Sequence, residues 1–381
     1  MPGKDQWIEV FRKSTHEFKR RAAADPRVEN AEKLAEQFAA DFNAGLDLVQ
    51  AEDHAELFEG PPTVLKLCKL RDEALRQLGF HDCFLDVKTS ENERALTVLP
   101  GVLKELDDLR GDPDELLMAL VQGTFAGNIF DLGAATSAAL YENGGGDFIA
   151  TRAKLKSRPW CVDDFDTLRS RWLVSTTTTD GNGYGYGKET PGTSEGGGGG
   201  GDAATAATAA AATCHAMTRY KKCVMFVDNS GADVLLGMLP LARELARRGC
   251  EVILAANEIP SINDITAAEL APLLPRVAAF DPTVAEAVDN GRLRVCSSGS
   301  DLPVIDLTRI SPRLAAEVEG ADLVVLEGMG RAIETNLRAA FTCDSLKLGM
   351  VKHPEVATCL GGELYDCVCK FDVGSTTART T

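Results

Sequence analysis

The sequence lacks the excess of positive charge with which proteins hold a nucleic-acid backbone. Lysine and arginine together number 40 against 57 aspartates and glutamates, which gives a formal net charge of −17. Because affinity for nucleic acid comes mainly from clustered basic side chains, no nucleic-acid partner is expected. An anionic small molecule would have to be met by a local positive site.

A long apolar segment, an apolar leader and a disulfide framework are also missing. No stretch approaches the roughly 20 apolar residues of a membrane span, and the first ten residues, MPGKDQWIEV, are too polar for a signal peptide. The eleven cysteines are scattered, and the close pair Cys367 and Cys369 has no second pair to complete a zinc site. Reduced thiols, no membrane partner and a cytoplasmic location are therefore predicted.

Several well-known cofactor and nucleophile motifs are absent as well. The chain has no P-loop, no G-x-S-x-G elbow and no H-E-x-x-H. Neither SGADVLLG nor EGMGRAIETN places a G-x-G-x-x-G spacing directly after a strand. A dinucleotide cofactor is therefore not expected.

The spacing of apolar residues changes along the length of the sequence. From Asp5 to about Leu173 apolar residues recur at spacings of three and four, which predicts an α-helical N-terminal domain over 1–174. Residues 175–216 are rich in threonine, glycine and alanine and cannot bury enough apolar surface to offset their ordering entropy. A disordered insertion is predicted there.

Residues 217–381 alternate short apolar runs with amphipathic helical patterns. Repeated β-α units with short connections are typical of a mainly parallel, Rossmann-like sheet with helices on both faces. Ligands of such α/β sheets bind at the carboxyl ends of the strands. The polar residues that follow the strands are therefore the candidates for function.

Four of the predicted strands end in such polar residues, and these ends are expected to meet at one edge of the sheet. They carry Asp228-Asn229-Ser230-Gly231, Asp264, Glu-Gly328-Met-Gly330-Arg331 and Lys352. Asp228, Asn229 and Asp264 offer only oxygen ligands, which favours a hard divalent cation such as Mg²⁺ or Mn²⁺. A single aspartate at a strand end is often just a helix N-cap. The prediction of a metal site therefore depends on all three side chains meeting at one edge of the sheet.

The same edge could hold a phosphoryl group. Backbone amides at Gly328 and Gly330, the guanidinium of Arg331 and the ammonium of Lys352 are suited to an anion, although a glycine turn with surface side chains is the alternative. Asn128, in the segment GNIFDLG (127–133), lies either in a helix–helix turn or in the same cleft, as does Asp131. His353 is ambiguous between a hydrogen-bond donor behind the site and a loop residue.

These residues together predict metal-assisted hydrolysis of a phosphate ester. The predicted catalytic residues are Asp228, Asn229, Asp264 and Lys352, the first three as metal ligands. The predicted phosphate-binding residues are Ser230, Gly328, Gly330, Arg331 and Asn128. Either Asp228 or a metal-activated water could attack phosphorus, and Ser230, standing where an Asp-x-Asp pattern needs its second aspartate, favours water.

Several segments of the chain resemble one known family. FVDNSGADVLLGMLPLARELARRG, LAANEIPSINDIT and EGMGRAIETN, together with GNIFDLG and RPWCVDDFDTL, are similar to the DUF89 damage-control phosphatases, subfamily II. Members of this subfamily also occur as the C-terminal domain of pantothenate kinase 4 and of plant pantothenate kinase 2. The resemblance covers nearly all of the chain except 175–216, and the chain looks like a free-standing plant-type member.

The resemblance implies a helical N-terminal domain on an α/β domain, with Asp228, Asn229 and Asp264 as ligands of Mn²⁺, or of Mg²⁺, Co²⁺ or Ni²⁺. It also implies phosphatase activity on a small phosphorylated metabolite, 4′-phosphopantetheine or its oxidised or damaged forms. The R-T-x-K motif of other subfamilies is absent, and Arg331 and Lys352 look like its substitutes. A carboxylate methyltransferase and a non-catalytic phosphometabolite-binding module are the alternatives.

Overall fold

The computed structural model describes residues 1–129, 148–172 and 218–375. Its α-helices are α1 Lys4–Ala23, α2 Ala31–Gln50, α3 Val64–Gln77, α4 Leu85–Asp108, α5 Pro113–Asn128, α6 Phe148–Ala153, α7 Phe165–Trp172, α8 Leu239–Arg247, α9 Ala267–Leu270, α10 Leu273–Ala278, α11 Pro282–Asp289, α12 Pro312–Glu317 and α13 Pro354–Leu360. The segments Asp233–Met238 and Met329–Thr335 are wound as π-helices. The insertion predicted at 175–216 lies outside the described residues.

The strands form one seven-stranded sheet in the order β1-β7-β6-β5-β2-β3-β4. They are β1 Val162–Asp163, β2 Lys222–Phe226, β3 Glu251–Ala256, β4 Leu293–Ser297, β5 Leu323–Glu327, β6 Asp344–Met350 and β7 Cys367–Asp372. All neighbouring pairs are parallel except β6 and β7. The predicted fold class, a mainly parallel α/β sheet preceded by helices, is confirmed.

Alternate residues of the central strands face two separate cores, one on each side of the sheet. Cys223 and Met225 of β2 pack with apolar residues of α4, α5 and α8. Val224 and Phe226 of the same strand pack with those of α1, α2, α3 and α13. Because both faces are covered, the strands are apolar throughout, which is the pattern that the sequence shows.

The N-terminal segment contributes more than a helical layer. Its short strand β1 pairs with β7, with Val162 opposite Val368, and so forms one edge of the sheet. Helix α5 packs on the sheet through fully buried residues such as Leu120 and Phe125. The division of the chain at 174 and 217 remains a prediction, and the sheet draws on both sides of that division.

The structure differs from the sequence pattern in two places. The sequence has a helical pattern from about Ala332 to Phe341, but the structure has a π-helical segment that ends at Thr335, and an irregular stretch then leads to β6. Helix α11 was not predicted, although Asp281 accepts a hydrogen bond from the Val284 amide and Pro282 follows it, the usual signature of a helix start. Among the described residues no helix is long and apolar enough to span a membrane.

Arg243 of α8 connects three helices through a buried guanidinium. Its Nε donates to both carboxylate oxygens of Asp281, at 3.0 Å each, and its Nη1 donates to Asp107 Oδ1 of α4 at 2.6 Å. The Arg243 side chain is only 4% exposed. The cluster therefore ties α4, from the N-terminal segment, to the α/β part of the chain.

We expect Arg243→Met to lower the free energy of unfolding by about 3 kcal/mol, because it leaves buried Asp281 without its cation. The control is Arg276→Met, since Arg276 pairs with Glu93 while both side chains are about half exposed. That change should cost less than about 1 kcal/mol. Urea denaturation measures both, and equal losses would contradict a special role for Arg243.

Candidate metal and phosphate site

The carboxyl ends of β2, β5 and β6 form the floor of the candidate site. Asp228 and Asn229 follow β2, Glu327 is the last residue of β5, and Lys352 lies two residues after β6. All four side chains are buried, and Lys352 is completely inaccessible to solvent. The sequence predicted that these three polar strand ends lie at one edge of the sheet, and they do lie at that edge.

The loop after β3 brings Asp264 to the same edge. Asn229 and Asp264 form an isolated antiparallel bridge, and the backbone amide of Ile265 donates to the Asp228 carbonyl at 3.0 Å. Arg331 spans the two carboxylates, since its Nη2 donates to Asp264 Oδ2 at 2.6 Å and its Nη1 pairs with Asp228 Oδ1. Arg331 and Asn229 thus each contact both Asp228 and Asp264.

A second set of carboxylates surrounds Asp228. Ligand oxygens of Asp228, Asp233 and Glu327 all lie within 4.8 Å of one another. Asp233 Oδ2 accepts from Asn229 Nδ2 at 2.7 Å, and Glu327 Oε2 accepts from the Asp228 amide at 3.0 Å. Asp233 and Glu327 are not among the site residues predicted from the sequence, although both lie inside the motifs FVDNSGAD and EGMGR.

Asn128, the last residue of α5, reaches this cluster from the N-terminal segment. Its Nδ2 is 2.6 Å from Glu327 Oε1, 3.1 Å from Asp233 Oδ2 and 3.4 Å from Asp228 Oδ2. The backbone carbonyl oxygen of Asn128 accepts a hydrogen bond from Lys352 Nζ at 2.7 Å. The sequence left open whether Asn128 and Asp131 lie in a turn or in the cleft. Asn128 lies at the site, while Asp131 is outside the described residues.

The buried carboxyls have perturbed acidities. Burial raises the pKa of Asp233. Burial also raises the pKa of Glu327 well above its usual range, and the negative charge of Asp233 raises it further. The Lys352 ammonium acts in the opposite direction on both groups. Oxygen donors with excess negative charge in a buried site fit a hard divalent cation, which would replace the protons that these carboxyls otherwise hold.

The two candidate glycines act differently from the prediction. Gly328 has φ +101°, and a Cβ there would lie 2.2 Å from Asp228 Oδ2, so only glycine lets β5 end so close to this carboxylate. The Gly328 amide already donates to the Leu348 carbonyl at 3.0 Å, so it is not available to an anion. A Cβ at Gly330 would meet the Pro303 carbonyl oxygen at 2.5 Å, which makes that glycine a packing requirement as well.

The site opens into a cavity of about 270 Å³. Asp228, Asn229, Asp264 and Lys352 line it together with residues of α1 and α3. Ser230 is not among the lining residues, and its buried hydroxyl makes no hydrogen bond within the part of the chain that the structure describes. His353 and Glu334 also line the cavity, with His353 Nδ1 3.4 Å from Glu334 Oε1.

Fold and site together define an α/β protein with a buried, carboxylate-rich site at the carboxyl edge of a parallel sheet. Residues 5–189 and 201–368 match the damage-control phosphatase ARMT1-like domain. The chain belongs to this family, as the sequence motifs predicted.

Known proteins support the same assignment over almost the whole chain. Damage-control phosphatase At2g17340 of Arabidopsis thaliana is 44% identical, over 97% of this chain and 88% of that protein. Pantothenate kinase 2 of Arabidopsis thaliana is 36% identical, and 4′-phosphopantetheine phosphatase of Mus musculus is 31% identical. The match spans 39% and 45% of the length of those two proteins, respectively.

A solved structure shows the same fold at much lower identity. The crystal structure of a DUF89 family protein from Pyrococcus horikoshii superposes with a TM-score of 0.58 and 17% identity. The superposition covers 97% of this chain and 98% of that one. The described residues therefore have the fold of a DUF89 family protein.

Two overlapping sets of candidate metal ligands can be distinguished by substitution. We expect Asp228→Asn and Asp264→Asn each to weaken Mn²⁺ binding more than about 100-fold, and Asp233→Asn only about 10–100-fold, because Asp233 mainly orients Asn229 and Asn128. Calorimetric titration of the purified protein with MnCl₂ measures all three. If Asp233→Asn or Glu327→Gln costs more than Asp264→Asn, the cation belongs to the carboxylates of Asp228, Asp233 and Glu327.

The matched control is Asp322→Asn. Asp322 accepts from the backbone amides of Lys221 and Lys222 at 2.8 and 3.0 Å, at the start of β2 and so at the opposite edge of the sheet. This change removes one carboxylate that contacts the same strand but lies away from the candidate site. The affinity for Mn²⁺ should therefore stay the same.

Proposed function

We propose that this protein is a metal-dependent phosphatase of small phosphomonoesters. The observation that carries the proposal is that Arg331 pairs with both Asp228 and Asp264, that Asn229 contacts both of these aspartates, and that the three ligand residues line one cavity together with Lys352. Oxygen ligands for a divalent cation and two cationic side chains are the groups that phosphoryl transfer requires. Membership of the damage-control phosphatase family supports the same chemistry.

In the proposed site Asp228, Asn229 and Asp264 would hold the cation, with Mn²⁺ as the preferred ion and Mg²⁺, Co²⁺ or Ni²⁺ as substitutes. A bound divalent cation supplies Lewis-acid polarisation of a phosphoryl oxygen. Asn229 donates through Nδ2 to Asp228 Oδ2 at 3.0 Å, so its carbonyl oxygen is the atom directed to a cation. Arg331 and Lys352 offset the charge that develops on the phosphoryl oxygens.

Water, and not Asp228, is the nucleophile that we propose. Both carboxylate oxygens of Asp228 are engaged: Oδ1 pairs with Arg331, and Oδ2 accepts from Asn229 and Asn128. Attack by either oxygen would break these contacts. The buried carboxylates beside Asp228 could accept the proton that an attacking water loses.

The substrate that we propose is 4′-phosphopantetheine or its oxidised or damaged forms. The mouse relative is named for hydrolysis of this compound. The cavity has room beyond the phosphate-binding end, and Trp7, Phe11 and Val64 give that region an apolar wall. A phosphorylated chain with both apolar and polar groups suits this shape.

The phosphatase proposal predicts metal-dependent hydrolysis of a generic aryl phosphate. Wild-type protein with Mn²⁺ should turn over, a chelator should abolish turnover, and Asp228→Ala should lower kcat/KM at least about 1000-fold because one change removes a metal ligand and disturbs Arg331. Release of inorganic phosphate is the measurement. Equal turnover by Asp228→Ala, or none by wild type with any of the four ions, would leave the methyltransferase and the binding module as the remaining candidates.

Water attack predicts that no phosphoryl group ever resides on Asp228. Acid quenching during turnover, followed by peptide mass spectrometry, should find the peptide carrying Asp228 unmodified. A phosphoryl adduct on Asp228 in wild-type protein, absent from Asp228→Asn, would show instead that this aspartate is the nucleophile.

A further inference from the structure

The cavity contains a second group of buried polar side chains. Arg71 of α3 is 4% exposed, Glu334 has a side chain 6% exposed, and His353 has one 19% exposed. All three line the same cavity as the metal and phosphate site. None of them is among the residues assigned above to the cation or to the phosphate.

The Arg71 guanidinium is held rigidly. Its Nε donates to Asp72 Oδ1 at 2.7 Å, and its plane lies over the rings of Phe18 and Phe11, 4.4 and 5.7 Å from their centroids. Its Nη2 is buried and makes no hydrogen bond to any residue that the structure describes. A buried, charged N–H group without a partner is costly, so this atom is suited to a ligand oxygen.

Glu334 offers the complementary atom. Its Oε1 is buried and, among the described residues, has His353 Nδ1 at 3.4 Å as a neighbour in a geometry that makes no hydrogen bond. Burial raises the pKa of the Cys68 thiol, and the charges of Arg71, Glu334 and Asp264 all act on that thiol. Arg71 and Glu334 also line the same cavity, so a donor and an acceptor lie near one another and near the metal and phosphate site.

The charges around this group disfavour a second anion. Arg71 is already paired with Asp72, and Glu334 adds a further carboxylate close by. A neutral group that offers one oxygen acceptor and one N–H donor satisfies both unpaired atoms without adding charge. Trp7 and Phe11 provide an apolar wall for the methylene or methyl groups on either side.

We propose that Arg71 and Glu334 form a subsite that binds an amide group in the non-phosphate part of the substrate. Arg71 Nη2 donates to the amide carbonyl oxygen, and Glu334 Oε1 accepts from the amide N–H. The subsite rests on the proposed phosphatase function, because the bound amide belongs to the phosphomonoester that is hydrolysed. It determines specificity and takes no part in the bond-breaking step.

The test compares two phosphomonoesters that share the phosphate but differ in the chain. 4′-Phosphopantetheine contains amides, and hexyl phosphate contains none. Wild-type protein with Mn²⁺ should prefer the amide substrate at least about 10-fold in kcat/KM. Arg71→Met should lower the ratio of the two kcat/KM values about 10–100-fold, through KM and not kcat, because a ground-state hydrogen bond to a charged group is lost.

Lys69→Met is the control, since Lys69 lies on the same helix, pairs with Glu73 and does not line this cavity. Its selectivity ratio should equal that of wild type. Glu334→Gln, which is nearly isosteric, removes the charge-assisted acceptor and should lower the ratio about 3–10-fold even if Arg71→Met does not fold. Calorimetric binding of the dephosphorylated product, pantetheine, should be weakened by the same two variants in the absence of metal.

The outcomes distinguish the subsite from the phosphatase itself. If wild type hydrolyses both esters with equal kcat/KM, or if Arg71→Met and Glu334→Gln leave the ratio unchanged, the subsite is wrong while the phosphatase stands. If wild type hydrolyses neither ester with any divalent ion, the proposed function fails first. Unchanged pantetheine binding in both variants would also contradict the subsite.

Discussion

The structure depends on the burial of several carboxylates at one edge of a parallel sheet. Asp228, Asp233, Asp264 and Glu327 are each at most 4% exposed, with Arg331 and Lys352 as the buried cations beside them. Removing an ion from water costs several kcal/mol, so an arrangement of four acids and two bases needs further compensation. Asparagine amides, a retained proton and a divalent cation are the available forms of that compensation.

This requirement explains why both parts of the chain are needed. Asn128 donates to three of the carboxylates from the end of α5, and its carbonyl oxygen accepts from Lys352. The helices of the N-terminal segment are therefore part of the electrostatic balance of the site and not only a cover. Gly328 shows the same constraint in the backbone, because any side chain at that position would occupy the place of the Asp228 carboxylate.

The sequence was sufficient to predict six of the seven strands, all except β1, together with the mainly parallel sheet and the edge at which Asp228, Asn229, Asp264, Arg331 and Lys352 lie. Apolar runs that stop at polar residues have that meaning in any parallel α/β sheet. It could not reveal the antiparallel direction of β7, because a strand buried on both faces reads the same in either direction. Asp233 and Glu327 were not predicted as site residues, since Asp233 resembles a helix N-cap and Glu327 resembles an ordinary strand end. Only three-dimensional contact shows that they share a site.

The cavity is lined by residues from two different parts of the chain. The candidate metal and phosphate residues lie at strand termini, whose positions are fixed by the hydrogen bonds of the sheet. Other lining residues come from α1 and α3, which pack on that sheet through apolar side chains. Substitutions on those helices can therefore change what the cavity accepts without changing the strand termini that carry Asp228. On this argument specificity should follow residues such as Arg71, whereas hydrolysis should follow the strand ends.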